Sequence, residues 1–370
     1  MKTMKIAYFA LGETYNSSHA GFVHTYNVVK ALSRVAEVKL FIKGEKQKTD
    51  IPVNFVSVPS LSKIENPLKY LKSFLKIKRE IKKFDIIHER FHINPIDLFF
   101  VGKKKYILEI NDPAPILYSG FKKKLYLKLI KKKFNRADAI ITQTETLKNI
   151  LSKFYSGKIY VVPNGVDIDF FEKNKNKFDI RKMFGIGKDK IVITFTGSFR
   201  EWHGVQDIPY IAEKIGEKCK NVVFLLVGSG PLFEEIKNKK TPNMILTGPL
   251  PYVYIPSVLY QSDILIAPFN TKRFTSLEKY GFYWCPVKLF EYMASGRPIV
   301  SYDYYEIRKI TKGSAILARP NDIDEFIHKL QKLIYNRNLR RKITLGKKMT
   351  ENYQWNSRAN EVLKIYNFNN

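Results

Sequence analysis

Hydrophobic positions fall into short, nearly unbroken runs, separated by longer stretches in which apolar residues recur every three or four positions. In the first half the runs are 6–10, 38–42, 54–56, 85–88, 106–110, 139–142 and 159–162. In the second half they are 191–197, 222–227, 244–246, 264–267 and 298–301. Runs without in/out alternation fit strands covered on both faces. Helical patterns separate most of them, which predicts parallel α/β sheets. Two such series predict two doubly wound domains, with ligands expected beyond the strand C-termini. A length of 370 residues agrees with two to three domains of about 150 each. Boundaries are expected at 1–165 and 166–352, with a C-terminal helix over 353–370 able to return to the first domain.

Composition narrows the class. At 45% hydrophobic and 14% aromatic residues, a mostly disordered chain is excluded. Two cysteines, Cys219 and Cys285, form neither a disulfide framework nor a zinc-finger spacing, so a reducing, cytoplasmic setting is expected. The N-terminal apolar stretch reads as a first strand ending near Gly12 rather than as a signal peptide, and no apolar run reaches membrane-spanning length. The charge is unusual. Sixty-four Lys+Arg against 34 Asp+Glu give +30, which calls for an anionic partner or reflects a biased composition.

The most informative segment is Pro286-Val287-Lys288-Leu289-Phe290-Glu291-Tyr292-Met293-Ala294-Ser295-Gly296-Arg297-Pro298. Pro286 fits the first position of a helix and Gly296 the residue just past its end. Free amides at the start of such a helix favour an anion. Glu291, near its middle, has the acceptor oxygens that sugar hydroxyls need. On its own it also fits a surface residue of an ordinary crossover helix.

This segment resembles the P-x-K-x-x-E-Y-M-A-x-G-[KR]-P stretch of glycosyltransferase family 4, retaining enzymes of the GT-B fold. Further stretches agree in the same order: Val162-Pro163-Asn164-Gly165-Val166-Asp167, the loop from Gly197 to Val205, Val227-Gly228-Ser229-Gly230-Pro231, the run from Ser262 to Pro268, and Trp355. The resemblance spans nearly the whole chain and is strongest in the second domain. It implies two Rossmann-like domains whose parallel sheets face across a cleft, the second holding a nucleotide-sugar donor and the first a glycan or lipid-linked acceptor. It implies retaining transfer, in the assembly of cell-surface polysaccharide or glycolipid, without a metal or other cofactor.

Carried residue by residue, the resemblance places Glu291 on the ribose hydroxyls. Gly197, Ser198, His203, Gly204, Gly228, Val287 and Leu289 are then expected around the donor, where glycines let the backbone approach a ligand. The family's loop has an Arg directly after its first Gly and a Lys before the second, where this chain has Ser198 and His203. Arg200 becomes the candidate replacement cation, with Lys288 second. A Glu that many members carry eight residues before Glu291 is replaced by Tyr283, which leaves the donor-sugar contacts open. The family's first-domain His aligns with Asn111 or Asp112, and His88 is a further candidate. Gly21 and His19 open a helical pattern after the first strand, on the expected acceptor side. Asp167-Ile168-Asp169 and Asp322-Ile323-Asp324 match a metal-binding D-x-D, but helix capping explains both better.

The excess charge clusters. Residues 69–83 hold seven Lys/Arg and residues 121–134 seven Lys, each interleaved with apolar residues at helical spacing. Such helices either lie on anionic lipid, at about 1 kcal/mol per contacting cation, or pack on the sheet with solvated lysines, and both can hold at once. Peripheral contact with an anionic membrane, at the inner face of the plasma membrane, is therefore expected, and nucleic acid is not. Two other readings remain at this stage: a non-catalytic basic nucleic-acid- or membrane-binding protein on the same fold, and a nucleotide-sugar epimerase.

Overall fold

The computed structural model describes residues 4–15, 20–45, 48–56, 67–93, 97–113, 120–342 and 346–368. The chain forms two compact units, residues 1–164 with 355–370, and residues 165–354. His19 lies outside the described residues.

The first unit carries a parallel sheet of seven strands: β1 (Lys5–Thr14), β2 (Glu37–Lys43), β3 (Val53–Val56), β4 (Ile86–Arg90), β5 (Lys105–Glu109), β6 (Ala139–Thr142) and β7 (Ile159–Val161). Their spatial order is β3-β2-β1-β4-β5-β6-β7, doubly wound about β1. The apolar runs are explained by burial on both faces. On one face Ile6, Tyr8 and Ala10 of β1 join a core that includes Val29, Leu32 and Ile107. On the other, Phe9 packs edge-on against Phe41 and Phe100. Helix α1 (Ala20–Leu32) covers the first face, and so does the C-terminal helix, whose Trp355, Ala359, Val362 and Tyr366 enter the same core.

Helix α2 (Pro67–Glu80) continues into a 3-10 turn at Ile81–Lys83. It packs through Ile77 and Ile81, while Phe74 meets Phe99 and Phe100 of the short helix α3 (Leu98–Val101). Leu68, Leu71 and Leu75, apolar positions of the same helical pattern, are 71%, 54% and 56% exposed. Helix α4 (Gly120–Arg136) buries Ile130 and Phe134 as expected, but also Lys133.

The second unit carries six parallel strands: β8 (Ile191–Thr196), β9 (Val222–Val227), β10 (Met244–Gly248), β11 (Ile264–Ala267), β12 (Ile299–Tyr302) and β13 (Ala315–Ala318). Their order is β10-β9-β8-β11-β12-β13. β13, at the sheet edge, has no counterpart among the strands expected from sequence. Between β11 and β12 lies helix α5 (Val287–Ser295), every residue of which from Lys288 onward is buried. Pro286 sits one position earlier than expected, as the extended residue before the helix, and Gly296 closes it in the left-handed region at φ 67°. The Tyr292 hydroxyl accepts the Thr196 amide at 2.8 Å and so fixes α5 to the end of β8. Asp167 and Asp322 cap helix starts by accepting the amides of Phe170 and Glu325, the role expected of both D-x-D runs.

Candidate functional site

The loops at the C-terminal ends of β8 and β9 interlock with the start of α5. Gly197 ends β8 at φ 139° and Gly228 ends β9 at φ 136°. A Cβ on Gly228 would lie 1.9 Å from the Gly197 carbonyl oxygen, so the two loops pack backbone on backbone. The freedom of Gly228 serves this contact, and Gly204 similarly admits the Pro268 carbonyl. Gly197 differs, because a Cβ there would meet the Lys288 ammonium at 2.5 Å.

Lys288 is therefore the centre of the arrangement. It is 92% buried, since only 8% of its surface is exposed, and its Nζ has no hydrogen-bond partner among the described residues. The amine sits 4.1 Å from the Phe195 ring centroid and 5.5 Å from that of Phe269. Burial pushes its pKa down to about 7, opposed by the carboxylate of Glu291. The fold thus holds a cation precursor at a helix start without an anion on its Nζ, a costly arrangement in the absence of a ligand.

His203 lies beside it, with Nδ1 donating to the Ser198 carbonyl at 2.6 Å. Burial, and then the neighbouring Lys288, hold the imidazole well below its ordinary pKa. His203 is consequently neutral at pH 7 and does not substitute for the family's cation. Arg200 does carry charge there, its guanidinium 5.3 Å from the Trp202 ring centroid. Glu291 is buried, and its Oε1 accepts the Tyr252 hydroxyl at 2.8 Å. Burial raises its pKa, while Tyr252 and Lys288 oppose the rise. Val287 is half-buried at the helix start. Leu289, expected around the donor, has its side chain wholly in the core, and its amide bonds the Pro286 carbonyl at 3.1 Å. Tyr283 is likewise core, its hydroxyl 2.7 Å from Ser276 Oγ.

In the first unit the strand ends hold charges that already have partners. His88 was expected as a catalytic candidate, yet it is 1% exposed. Its Nε2 lies 3.0 Å from Glu109 and its Nδ1 against the Tyr366 hydroxyl of the C-terminal helix, which makes it a clasp for that helix. Glu109 also meets His24 and accepts the Tyr8 hydroxyl at 2.7 Å. Burial alone would raise its pKa, but His24 and His88 hold it well below the carboxylate range. Asn111 donates to the same carboxylate at 2.5 Å and stands half-buried after β5; Asp112 beside it is exposed. Gly21 opens α1 with the Glu13 carboxylate directly over it.

A second cluster went unnoticed in the sequence. Glu89, His92 and Asp97 bring three ligand atoms together in a geometry that could hold a metal ion. Lys133 Nζ already bonds Glu89, Asp97 at 2.9 Å and the His92 carbonyl at 2.7 Å, and so supplies the positive charge itself. Burial and Asp97 raise Glu89 to about 7 against the pull of Lys133. No local motif announces this cluster; only the absence of an acid near Lys133 in sequence hints that its partner lies elsewhere.

Two doubly wound parallel units, one with an unpaired buried amine where its sheet ends, define a two-domain Rossmann-like α/β class. Comparison with known proteins narrows this. Residues 190–336 match the family model described as glycosyl transferases group 1, and residues 21–170 match glycosyltransferase family 4, together more than half the chain. The chain belongs to the family-4 type of GT-B glycosyltransferases. A Bacillus subtilis protein named as a teichuronic acid biosynthesis glycosyltransferase, TuaH, is 29% identical over 204 residues, 53% of this chain and 48% of its own. The Escherichia coli UDP-Gal:alpha-D-GlcNAc-diphosphoundecaprenol alpha-1,3-galactosyltransferase is 28% identical over 208 residues, 51% of this chain and 50% of its own. The chain thus spans about half the length of these curated relatives. Anabaena HepE, solved in complex with UDP-glucose, superposes with a TM-score of 0.75 at 14% identity, covering 98% of this chain and 99% of that one. At that identity the likeness concerns the fold.

Proposed function

We propose that the protein is a retaining, metal-independent glycosyltransferase that moves a sugar from a nucleotide-sugar donor to a glycan or lipid-linked acceptor in cell-surface polysaccharide or glycolipid assembly. The observation that carries this reading is the buried, unpartnered Lys288 beneath Gly197, one helical turn from Glu291. A nucleoside diphosphate supplies what the site lacks. Its phosphates meet the amine of Lys288, the guanidinium of Arg200 and the amide end of α5. The free oxygen of Glu291 accepts ribose hydroxyls. The UDP-Gal in the printed name of the Escherichia coli relative and the UDP-glucose complex of HepE support this class of donor.

In the reaction the bond from the anomeric carbon to the phosphate oxygen breaks as an acceptor oxygen bonds the same face of that carbon. The acceptor proton passes to the departing phosphate. Negative charge grows on the diphosphate, where Lys288 and Arg200 favour the transition state over the ground state. Acceptor binding falls to the first unit, with Asn111, Asp112 and the Gly21 turn as its candidate contacts. Peripheral contact with an anionic membrane would bring a lipid-linked acceptor within reach, and no described helix is long and apolar enough to cross a membrane.

Glu291→Ala tests the reading. Turnover of the preferred donor, found by titrating a panel of UDP-, GDP-, ADP- and CMP-sugars, is expected to fall by roughly a hundredfold in a variant that still folds. Undiminished turnover would refute the assignment.

A further inference from the structure

The first unit presents a surface that the described residues leave uncovered. On α2 and its 3-10 extension, Leu68, Leu71, Leu75, Lys78 and Lys82 follow one another at steps of three or four residues and so share one stripe. All five are exposed. Beside them Phe99 is 75% exposed, its ring 6.2 Å from that of Phe74, which ties it to the helix. Four large apolar side chains thus lie in water along one edge, although the sheet offers α2 a separate packed stripe through Phe74, Ile77 and Ile81. The next stripe round the helix is basic: Lys72, Lys76, Arg79 and Lys83 are all exposed. The apolar stripe lies between the packed face and this basic one.

The same edge opens into a groove. Its walls are Lys78 and Lys82 on one side and Phe99, Lys103 and Lys104 on the other. Lys104 donates to the Phe84 carbonyl at 2.6 Å; Lys78, Lys82 and Lys103 are exposed. Asp85, the one acid among the described residues lining the groove, has an oxygen 3.2 Å from the Lys5 backbone amide. Glu80 nearby is turned to Lys39 at 3.1 Å.

We propose that this edge is the membrane-docking surface of the protein, with Leu71, Leu75 and Phe99 entering the acyl boundary of an anionic bilayer and the groove lysines taking lipid phosphates. The proposal rests on the membrane contact in the functional reading above and names the surface behind it. An apolar stripe flanked by cations is the arrangement that interfacial helices use, where burial of the apolar side chains adds to attraction for anionic headgroups. Charge complementarity selects the occupant, since every charged side chain described in the stripe and groove is a lysine apart from Asp85. The surface is also distinct from α4, the other basic helix in the sequence. There Lys133 points inward to Glu89 and Asp97, so α4 has fewer cations to offer than its sequence suggests.

The test is flotation of the full chain with vesicles of phosphatidylcholine alone and with roughly one third phosphatidylglycerol. The wild type is expected to float with the anionic vesicles only. Leu71→Gln/Leu75→Gln/Phe99→Gln and, separately, Lys78→Gln/Lys82→Gln/Lys103→Gln should each weaken binding at least tenfold. Removing two of the exposed α4 charges, Lys131→Gln/Lys132→Gln, should change it less than threefold. All these residues are exposed, so folding is unaffected, and hydrolysis of the free donor should stay at the wild-type rate in each variant. Equal binding to both vesicle types, absence from both, or equal losses in the α2 and α4 lysine variants would overturn the proposal. Loss of donor hydrolysis in the wild type would instead overturn the transferase reading and leave the docking result standing.

Discussion

The strand ends of the two units handle buried charge in opposite ways. In the first unit the buried charges described at the strand ends have partners: Lys133 has Glu89 and Asp97, and Glu109 has Arg90 together with the imidazoles of His24 and His88. In the second, Lys288 is equally enclosed but its amine faces aromatic rings and a bare glycine. Removing one partner of a buried pair leaves an uncompensated charge, so the fold depends on each member of the cluster keeping its partner. An unpaired amine lacks one until an anion arrives. The contrast separates residues that hold the protein together from residues that wait for a ligand.

The largest effect expected from that contrast is in the first unit. Lys133→Met should lower stability by about 3–5 kcal/mol, read from urea unfolding, because Glu89 and Asp97 would remain buried together. A loss below about 1 kcal/mol would mean the cluster is not held by pairing. His88→Ala should cost about 1–3 kcal/mol by orphaning Tyr366 and Glu109, and should leave donor hydrolysis unchanged. A variant with full stability and no hydrolysis would return His88 to the catalytic set.

A smaller effect sharpens the second unit. With Lys288 lowered from 10.5 to about 7, the unfolded chain binds a proton between those values that the free folded unit does not. Stability of the free protein should therefore rise with pH across that window through this group. A bound diphosphate favours the ammonium, so binding should take up a proton above pH 7. Affinity should then fall as pH rises from 7 to 9, by up to about tenfold per unit. Calorimetry in buffers of different ionisation enthalpy would detect the uptake, and its absence would place Lys288 away from the phosphates.

How far the sequence foretold this differs between the units for the same reason. Around Lys288 the requirements are local. Gly296 must turn the chain, Tyr292 sits one turn from Lys288, and Gly197 must have no side chain, so one short segment and one loop carry the pattern. The first unit's pairs lie far apart: Lys133 is 44 residues from Glu89, and His88 is 278 from Tyr366. No spacing rule reaches such distances, so the sequence could name His88 as a candidate but not its partners Glu109 and Tyr366. The same limit hid which stripe of α2 packs, since Leu71 and Ile77 look equally apolar in sequence and only the sheet chooses between them. β13 was missed because Ala315–Ala318 is a short edge strand with only one exterior neighbour, β12.

Paired stability and binding measurements on Lys288→Met test the central claim most directly. The side chain keeps its length and loses its amine. The account predicts a free protein at least as stable as the wild type, together with affinity for the preferred nucleoside diphosphate weakened about tenfold or more. A variant that is clearly less stable but binds the nucleotide as before would show that the amine serves the fold, and would contradict the account.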